Sequence, residues 1–364
     1  MNDVRCIGCG GALQNTDKQA PFYTPKQIDE DTMILCQRCF RMRHYGEITP
    51  SYVDETRFYQ LLHEIASLDV LIVNVLDAFD LEGSMMPQIH KITEQKDVLV
   101  VVNKRDLLPK IVSDGKLRHR ILRYLKKAHI HAVDVMMVSA VKKYEIDALL
   151  DTLAKRSRGK DIYMVGATNV GKSSLINAML SASTAMKEGL ITVSNSRNTT
   201  QGLIAIPFEN QTIYDTPGLL NKNHVAHLLK ETSYQAVQPK KEVKPKVYQL
   251  KPEQTLFLGG LAQIDFLEGK ASDFVVYVSE KLYIHRRKLE ASDAFYKEHV
   301  QRLLVPPYEG ETLHERTNKQ ISFKPNQKRD VVIPGLGFVT LLGQGTIQIK
   351  TPKGIVPYVR EALI

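Results

Sequence analysis

The chain has 364 residues, enough for two or three domains that each bury a hydrophobic core. Its 49 Lys+Arg against 40 Asp+Glu give a formal net charge of +9 and a pI near 9.1, which favours an anionic partner, most often nucleic acid. No segment approaches the roughly 18 apolar residues of a membrane span, the first residues lack a signal-peptide pattern, and four cysteines within the first 39 residues argue against a disulfide-stapled secreted protein. We therefore expect a cytoplasmic protein with no membrane partner.

The cysteines form two Cys-x-x-Cys pairs separated by 26 residues: Cys6, Cys9, Cys36 and Cys39. Four thiolates suit a tetrahedral structural Zn²⁺, so residues 1–49 are predicted to form a zinc-binding module. Free buried thiols and, without metal, redox chemistry are the alternatives. Positive charge surrounds the second pair: Arg38, Arg41, Arg43 and His44. These side chains could contact phosphates or could simply keep a small domain soluble, and both interpretations stay open.

Residues 50–235 alternate between helical patterns and apolar runs. The predicted helices are 55–67, 87–95, 116–129 and 145–157, and the predicted strands are 69–76, 98–102 and 135–138. This alternation is typical of an α/β domain with a doubly wound parallel sheet. Ligands bind such sheets at the carboxyl ends of the strands, where Asp77-Ala-Phe-Asp80 is expected to lie.

Two short motifs after these strands predict a guanine-binding site. Asn103-Lys104-Arg105-Asp106 fits the Asn-Lys-x-Asp element, in which the carboxylate of Asp106 accepts the adjacent N1–H and N2–H of guanine. In GTPases of this pattern Asn103 braces the loop and Lys104 lies across the base. Val138-Ser139-Ala140 resembles the supporting loop, whose Ala140 amide meets guanine O6.

The segment Gly166-Ala-Thr-Asn-Val-Gly-Lys-Ser173 follows an apolar run and precedes a helical pattern, as a phosphate-binding loop requires. Its glycines let backbone amides surround phosphate oxygens, Lys172 reaches the β- and γ-phosphates, and the Ser173 hydroxyl is a ligand of Mg²⁺. The predicted nucleotide contacts in this loop are Gly166, Asn169, Val170, Gly171, Lys172, Ser173 and Ser174. A Gly-rich turn that matches by chance is the alternative.

Asp215-Thr-Pro-Gly218 looks like the second switch, where Asp215 holds Mg²⁺ through water and the Gly218 amide senses the γ-phosphate. The first switch is expected within the polar segment 187–201. There Thr200 is our choice for completing the Mg²⁺ shell, with Thr199 as the reserve, although Arg197-Asn198 replaces the Pro-Gly of related GTPases.

The residues after the second switch concern catalysis. Leu219-Leu220 stands where Ras-like enzymes carry the glutamine that orients the attacking water. We therefore expect slow intrinsic hydrolysis and stimulation by a partner, with Lys172, Thr200 and Gly218 as the catalytic set.

The order of these motifs differs from that of ordinary GTPases, because the guanine elements at 103 and 139 precede the phosphate loop. The sequence therefore predicts a circularly permuted GTPase, a rearrangement that a sheet tolerates when its original termini lie close together. Whatever follows Gly218 is then attached directly to the segment that responds to the nucleotide.

The rest of the chain changes character. Residues 236–252 contain Pro239, Pro245 and Pro252 among lysines and are predicted to be a linker. Residues 253–364 are predicted to be a β-rich α+β domain, with strands 255–267, 273–284, 319–323, 331–333, 337–342 and 346–349 and a helix near 291–304. Residues 221–364 carry 22 Lys+Arg against 15 Asp+Glu, so most of the net charge is here. The basic-aromatic segment 281–288 suits RNA, or is an ordinary solvated strand end.

Taken in this order, a four-Cys module, a permuted GTPase and a basic β-rich tail resemble the bacterial YqeH family of ribosome-assembly GTPases over essentially the whole chain. The resemblance implies a role in maturing the small ribosomal subunit, with ribosomal RNA or a ribosomal protein rather than DNA as partner, and a tail similar to the TRAP-like β fold. It implies GTP or GDP, Mg²⁺ and Zn²⁺ as ligands, and K⁺ at Asn169, as in potassium-activated relatives. An asparagine that only forms the turn is the alternative at this position. We see no motif for haem, flavin or nicotinamide, so the nitric-oxide-synthase label once given to some eukaryotic relatives has no support here.

Two functions of different classes remain. The first is a GTP-hydrolysing assembly factor that binds RNA or protein in one nucleotide state and releases it in the other. The second is a constitutive RNA-binding scaffold for which GTP or GDP is a structural ligand.

Overall fold

A computed structural model describes residues 4–7, 11–18, 20, 22–28, 34–45, 52–53, 55–86, 89, 93, 96–194 and 203–364. The chain divides into two compact units. Unit 1 comprises Met1–Asp106 and Ser113–Leu220, and unit 2 comprises Leu107–Val112 and Asn221–Ile364. In the described part of the chain, no helix has the length and apolar character needed to cross a bilayer.

The helices of unit 1 are α1 Gln37–Tyr45, α2 Glu55–Ala66, α3 Leu81–Ser84, α4 Asp114–Lys127, α5 Ile146–Ser157, α6 Lys172–Ala182 and α7 Thr184–Ser194. Its strands are β1 Tyr52–Val53, β2 Leu71–Asp77, β3 Val98–Asn103, β4 Ala132–Met137, β5 Ile162–Gly166, β6 Ile204–Phe208, β7 Gln211–Asp215 and β8 Gly218–Leu219. Strand β1 pairs with β8 in a parallel two-stranded sheet.

Six strands form the main sheet of unit 1, in the order β4-β3-β2-β5-β7-β6. Every pair is parallel except β6 with β7. Strands β2, β3 and β5 are buried along their whole length, β3 for example as Val-Leu-Val-Val-Val-Asn, because helices cover both faces of such a sheet. The core of this unit includes Met42 of α1, so part of the cysteine-bearing segment packs into the α/β domain.

The predicted α/β architecture is confirmed, and the predicted helices at 55–67, 116–129 and 145–157 correspond to α2, α4 and α5. All three predicted strands of this domain are present as β2, β3 and β4. Most of the helix predicted at 87–95 lies outside the described residues. The first switch is predicted within residues 187–201. Residues 187–194 of that range are helical and form the last part of the 11-residue helix α7.

The strands of unit 2 are β9 Lys246–Leu250, β10 Gln254–Leu258, β11 Ala262–Gly269, β12 Ser272–Val278, β13 Ile284–Lys288, β14 Arg316–Phe323, β15 Arg329–Ile333, β16 Gly337–Leu342, β17 Gly345–Pro352 and β18 Tyr358–Glu361, and its helices are α8 Glu231–Val237 and α9 Ser292–His299. They form two antiparallel five-stranded sheets, ordered β13-β10-β11-β17-β14 and β18-β15-β16-β12-β9. One core holds residues from both sheets, for example Leu256, Ile264 and Ile347 with Phe274 and Val339. The β-rich prediction for this region is therefore confirmed.

Three details of this unit correct the sequence predictions. The linker predicted at 236–252 contains β9, which pairs with β12 and is an edge strand of a sheet. The strand predicted at 255–267 is two strands, because the chain turns at Gly259, which has a φ of +55°. The helix near 291–304 ends at His299. In addition, residues 107–112 join unit 2, where the Val243 amide donates to the Leu107 carbonyl oxygen at 2.9 Å.

Candidate functional site

The residues singled out by the sequence converge where the parallel strands of unit 1 end. Asp77, Asn103, Gly166 and Asp215 are the last residues of β2, β3, β5 and β7, and Ser139 follows β4 by two residues. Carboxyl ends of parallel strands meet at one edge of the sheet, which is the ligand-binding edge of open α/β folds. The sheet therefore brings together motifs that are far apart in the sequence.

The loop between β5 and α6 has the backbone of a phosphate-binding loop. Asn169 and Gly171 have positive φ angles of 66° and 83°, and α6 begins at Lys172 directly after them. A Cβ atom at Gly166 would lie 2.8 Å from the Val75 carbonyl oxygen, so the close approach of two strands requires glycine there. The start of an 11-residue helix faces the ligand-binding edge, and its free backbone N–H groups favour an anion.

Asn103 ties three loops together. Its Nδ2 donates to the carbonyl oxygens of Val170 and Gly171 at 3.1 and 3.2 Å, and its Oδ1 accepts from the Ala140 amide at 3.1 Å. The side chain is 1% exposed, so these bonds are shielded from water. The guanine elements are thereby held against the phosphate loop.

Asp106 and Lys104 each have a defined partner. Ser139 Oγ donates to Asp106 Oδ1 at 2.6 Å, which leaves the second carboxylate oxygen for another donor. Lys104 Nζ donates to Asp77 Oδ2 at 2.6 Å and also to the Asn169 carbonyl oxygen. The sequence had placed Asp77 at this edge without a role, and the structure adds it as the ion-pair partner of Lys104.

Lys172 and Asp215 form a buried ion pair. Lys172 Nζ lies 2.6 Å from Asp215 Oδ1 and also donates to the Thr216 carbonyl oxygen. The side chains of Lys172 and Asp215 are 6% and 1% exposed. Burial lowers the pKa of Lys172, the Asp215 carboxylate opposes that shift, and the nearby Arg38 charge adds to it. The adjacent Ser173 is also buried, so a hydroxyl, a carboxylate and an ammonium group lie together at the start of α6.

Arg38 of α1 is a member of this site that sequence reasoning did not place there. One of its terminal guanidinium nitrogens lies 2.6 Å from Asp215 Oδ2. The sequence did show a cluster of positive charge around Cys36 and Cys39, but nothing in it indicated a contact 177 positions away.

The second switch packs directly on the phosphate loop. The Thr168 amide donates to the Leu219 carbonyl oxygen at 2.8 Å, and a Cβ at Gly218 would lie 3.3 Å from Thr168 Cα. The side chain of Leu219 is buried and apolar, so it offers no group to orient a water. Thr199 and Thr200 lie outside the described residues.

Three of the four cysteines form a compact cluster. The sulfur atoms of Cys6, Cys36 and Cys39 all lie within 4.8 Å of one another, and the three residues are buried. The Cys36 amide donates to Cys6 Sγ at 3.2 Å. Bound to one Zn²⁺ at about 2.3 Å each, three thiolates would lie close together in this way. Cys9, the fourth predicted ligand, lies outside the described residues.

The basic-aromatic segment 281–288 of unit 2 ends in β13, and its residues His285 and Arg287 pack against Phe295 of α9. The His285 ring stacks on Phe295 with centroids 4.6 Å apart, and the Arg287 guanidinium lies 4.9 Å from the same ring. Burial, then Arg287, then His299 lower the pKa of His285. Tyr283 is 41% exposed and remains accessible for stacking. Part of this segment is therefore engaged within the domain rather than fully solvated.

The groups at the carboxyl ends of the unit 1 strands fit a guanine nucleotide with Mg²⁺. The buried Ser173 hydroxyl and Asp215 carboxylate are oxygen donors of the kind that Mg²⁺ prefers, and they adjoin a helix start suited to phosphate. Bound Mg²⁺ neutralises charge that develops on the phosphate oxygens during phosphoryl transfer.

The sheet order and the position of the guanine elements before β5 define a circularly permuted P-loop GTPase. The RsgA GTPase family model matches residues 67–224, and the YqeH-like, C-terminal model matches residues 271–363. The protein YqeH of Bacillus subtilis (strain 168) is 37% identical over 368 aligned residues that cover 100% of both chains. The chain belongs to the YqeH family, and the protein is a GTPase that uses GTP, GDP and Mg²⁺.

Two further relatives show how far the similarity reaches. NO-associated protein 1 of Arabidopsis thaliana is 25% identical over 92% of this chain and 69% of its own. Small ribosomal subunit biogenesis GTPase RsgA of Geobacillus kaustophilus (strain HTA426) is 32% identical over 38% of this chain and 45% of its own. The similarity to RsgA thus concerns part of each chain.

Proposed function

We propose that this GTPase acts in the assembly of the small ribosomal subunit and that its nucleotide state controls its binding to ribosomal RNA or a ribosomal protein. The observation that carries the proposal is the connectivity of unit 2. This unit begins at Asn221, three residues after Gly218, and it also includes Leu107–Val112, directly after Asp106. Unit 2 is therefore covalently continuous with the second switch and with the guanine element. The name of the RsgA relative supports the ribosomal part.

In this proposal each motif has one task at the nucleotide. Lys172 and the amides of the loop bind the β- and γ-phosphates, and the Gly218 amide senses the γ-phosphate. Ser173, Thr200 and Asp215 hold Mg²⁺. Asp106 selects guanine, while Lys104 and the Ala140 amide contact the base. The remaining groups support these contacts: Asn103, Ser139, Gly166, Asn169, Val170, Gly171 and Ser174.

Hydrolysis by the isolated protein is slow in this proposal, because apolar side chains follow the second switch in place of a water-orienting glutamine. A partner and K⁺ bound near Asn169 would supply the missing positive charge or positioning. Such control suits an assembly factor, which should hydrolyse GTP only when it is bound to its correct particle.

The basic character of residues 221–364, with 22 Lys+Arg against 15 Asp+Glu, supports an anionic partner for unit 2. Exposed Tyr283 and the neighbouring basic residues of β13 offer both a stacking surface and phosphate contacts. The proposal places the protein in the cytoplasm, where bacterial ribosomes assemble.

The proposal is tested by co-sedimentation with purified small ribosomal subunits, with GDP or a non-hydrolysable GTP analogue at one fixed salt concentration. Salt is fixed because phosphate contacts weaken steeply as it rises. We expect the bound fraction to differ strongly between the two nucleotides. Lys172→Ala is the matched control and should bind equally with both.

Two results would contradict the proposal. Equal binding of the wild-type protein with both nucleotides would favour the constitutive scaffold. A lack of binding with either nucleotide would exclude the small ribosomal subunit as the partner. The protein would then be a GTPase with another partner.

A further inference from the structure

The Asp215 carboxylate is bound by two cations from different parts of the chain. Its Oδ1 accepts from Lys172 of the phosphate loop, and its Oδ2 accepts from Arg38 of the cysteine module, both at 2.6 Å. Asp215 is 1% exposed and the Arg38 side chain 14% exposed, so water competes little for either bond. Both carboxylate oxygens are therefore engaged.

The position of Arg38 is fixed from both sides. It lies between Cys36 and Cys39 in the sequence, and these two sulfur atoms belong to the buried cysteine cluster. Four residues further along α1, Met42 is 4% exposed within the core of the α/β domain. Residues i and i+4 share one helix face, so Met42 anchors the face of α1 that directs Arg38 to Asp215.

In the proposed function Asp215 is also the carboxylate that holds Mg²⁺, and the inference rests on that assignment. A hydrated Mg²⁺ needs an oxygen of this carboxylate as an acceptor. An ionised carboxylate can accept several hydrogen bonds, but a guanidinium held on Oδ2 uses part of that capacity and repels a second cation at the same buried group. Two cations that require the same buried carboxylate repel each other, so the binding of one weakens the binding of the other by linkage.

We propose that Arg38 couples the cysteine module to the nucleotide site, because its guanidinium and hydrated Mg²⁺ compete for the Asp215 carboxylate. Binding of the Mg²⁺–nucleotide complex releases Arg38 and loosens α1 from the site, and the bound arginine in turn raises the Mg²⁺ concentration that nucleotide binding requires. The inference depends on the GTPase site alone and is independent of any ribosomal partner.

The test is a Mg²⁺ titration of fluorescent GDP binding to the full-length wild-type protein and to Arg38→Gln. Removing a charge-assisted hydrogen bond from the competitor should lower the half-saturating Mg²⁺ concentration by on the order of tenfold. Arg38→Lys keeps the charge but loses the planar fork and should give a smaller decrease. Arg41→Gln, which changes an exposed arginine of the same helix, is the matched control and should behave as wild type.

Hydrogen–deuterium exchange of the α1 amides gives a readout separate from nucleotide affinity. In the wild-type protein Mg²⁺ and GDP together should speed exchange in α1, whereas in Arg38→Gln exchange should be fast with or without them. Zinc content and thermal melting establish that each variant is folded.

An unchanged or increased Mg²⁺ requirement in folded Arg38→Gln would overturn the inference. A fall in the rate of hydrolysis with the same Mg²⁺ requirement would also overturn it and would instead make Arg38 a group that acts on the phosphates. If the wild-type protein showed no Mg²⁺-dependent GDP binding, the assignment of Asp215 to Mg²⁺ would fall and the inference with it. A negative sedimentation result with ribosomal subunits would leave both the assignment of Asp215 to Mg²⁺ and the inference about Arg38 intact.

Discussion

Lys172 is the single residue on which phosphate binding depends most in this site. Its ammonium group is buried and already bonded to Asp215, so it is held close to the start of α6. We expect Lys172→Ala to abolish measurable GTP binding, with affinity lower by at least about 100-fold, because a charged donor is lost in a shielded site. Equilibrium binding of a fluorescent GTP analogue measures this. Lys155→Ala, at an exposed position of α5, is the control, and normal affinity in Lys172→Ala would refute the loop assignment.

Base choice is also decided by one side chain. Asp106→Asn replaces an acceptor by a group that donates, so it should repel the N2–H of guanine and accept xanthine instead. We expect GTP affinity to fall by on the order of 100-fold and affinity for xanthosine triphosphate to rise. Competition binding with both nucleotides measures the switch.

Ser139→Ala serves as the control for that switch. It removes the 2.6 Å hydrogen bond to Asp106 Oδ1 but leaves the carboxylate in place. A modest loss of affinity with unchanged preference for guanine is expected. If Asp106→Asn kept the wild-type preference for GTP, the guanine element would lie elsewhere in the chain.

The junction between the phosphate loop and α6 is the element most sensitive to backbone change. Gly171 has a φ of +83°, and a Cβ there would lie 2.4 Å from Asn103 Nδ2. Gly171→Ala should therefore lower the free energy of unfolding by about 1–3 kcal/mol and weaken nucleotide binding, because it displaces the side chain that joins three loops. Urea unfolding and GDP binding measure the two effects.

Gly115→Ala is the matched control for the same substitution. This glycine lies in the first turn of α4 and has open space around the position of a Cβ. It should leave stability unchanged or raise it by about 0.4–1 kcal/mol. A Gly171→Ala protein as stable as Gly115→Ala would mean that the loop tolerates another backbone.

In unit 2 one buried carboxylate joins three strands. Asp330 of β15 accepts from Thr340 of β16 at 2.6 Å, from Arg360 of β18 at 3.1 Å and from the Leu363 amide at 2.9 Å. Asp330→Ala leaves Arg360 buried without this partner, so unfolding free energy should fall by about 3–5 kcal/mol. Urea unfolding measures the loss, and Asp273→Ala, at a partly exposed position of β12, is the control. A change below about 1 kcal/mol would mean that water replaces the carboxylate.

At the scale of the whole molecule, we expect the cysteine cluster to decide whether the described residues around it, such as those of α1, stay folded. In the described part of the chain the three buried cysteines pack against three partly buried apolar side chains, Leu13, Phe22 and Leu35, so a bound metal would add stability to this small segment. We expect the purified protein to release about one zinc ion per chain on denaturation with a colorimetric chelator.

Cys36→Ser should lower the zinc content and the melting temperature together, since binding free energy of the metal is also folding free energy. The competing outcome is a zinc-free wild-type protein with four titratable thiols and an unchanged melting temperature in Cys36→Ser. That outcome would return the cysteines to a structural or redox role.

Much of the α/β domain and most of its site could be predicted because their signals are local. The phosphate loop, Asn103 to Asp106 and Asp215 to Gly218 are each contiguous, and each follows an apolar run that forms a strand. Parallel strands then bring their carboxyl ends to one edge, so motif order alone indicated the permuted GTPase. Buried strands such as β2 and β3 can be recognised in the sequence, because helices on both faces of the sheet require apolar residues at nearly every position.

The errors in unit 2 have a different cause. Strand β9 lies in a lysine- and proline-rich segment that reads as a linker, because an edge strand with alternate exposed residues needs few apolar side chains. The turn at Gly259 was hidden within one long apolar run. Strand β9 depends on its pairing with β12, whereas the turn at Gly259 joins two consecutive strands that pair with each other. Local composition specifies neither pairing.

The sequence by itself determined the nucleotide motifs, their permuted order, the paired cysteines and the β-rich basic tail, because each is a pattern of neighbouring residues. Only the tertiary structure decided that Asn103 joins three loops, that Lys104 pairs with Asp77 and that Arg38 shares Asp215 with Lys172. These contacts join residues many positions apart on different elements. Packing sets such distances, and spacing along the chain does not.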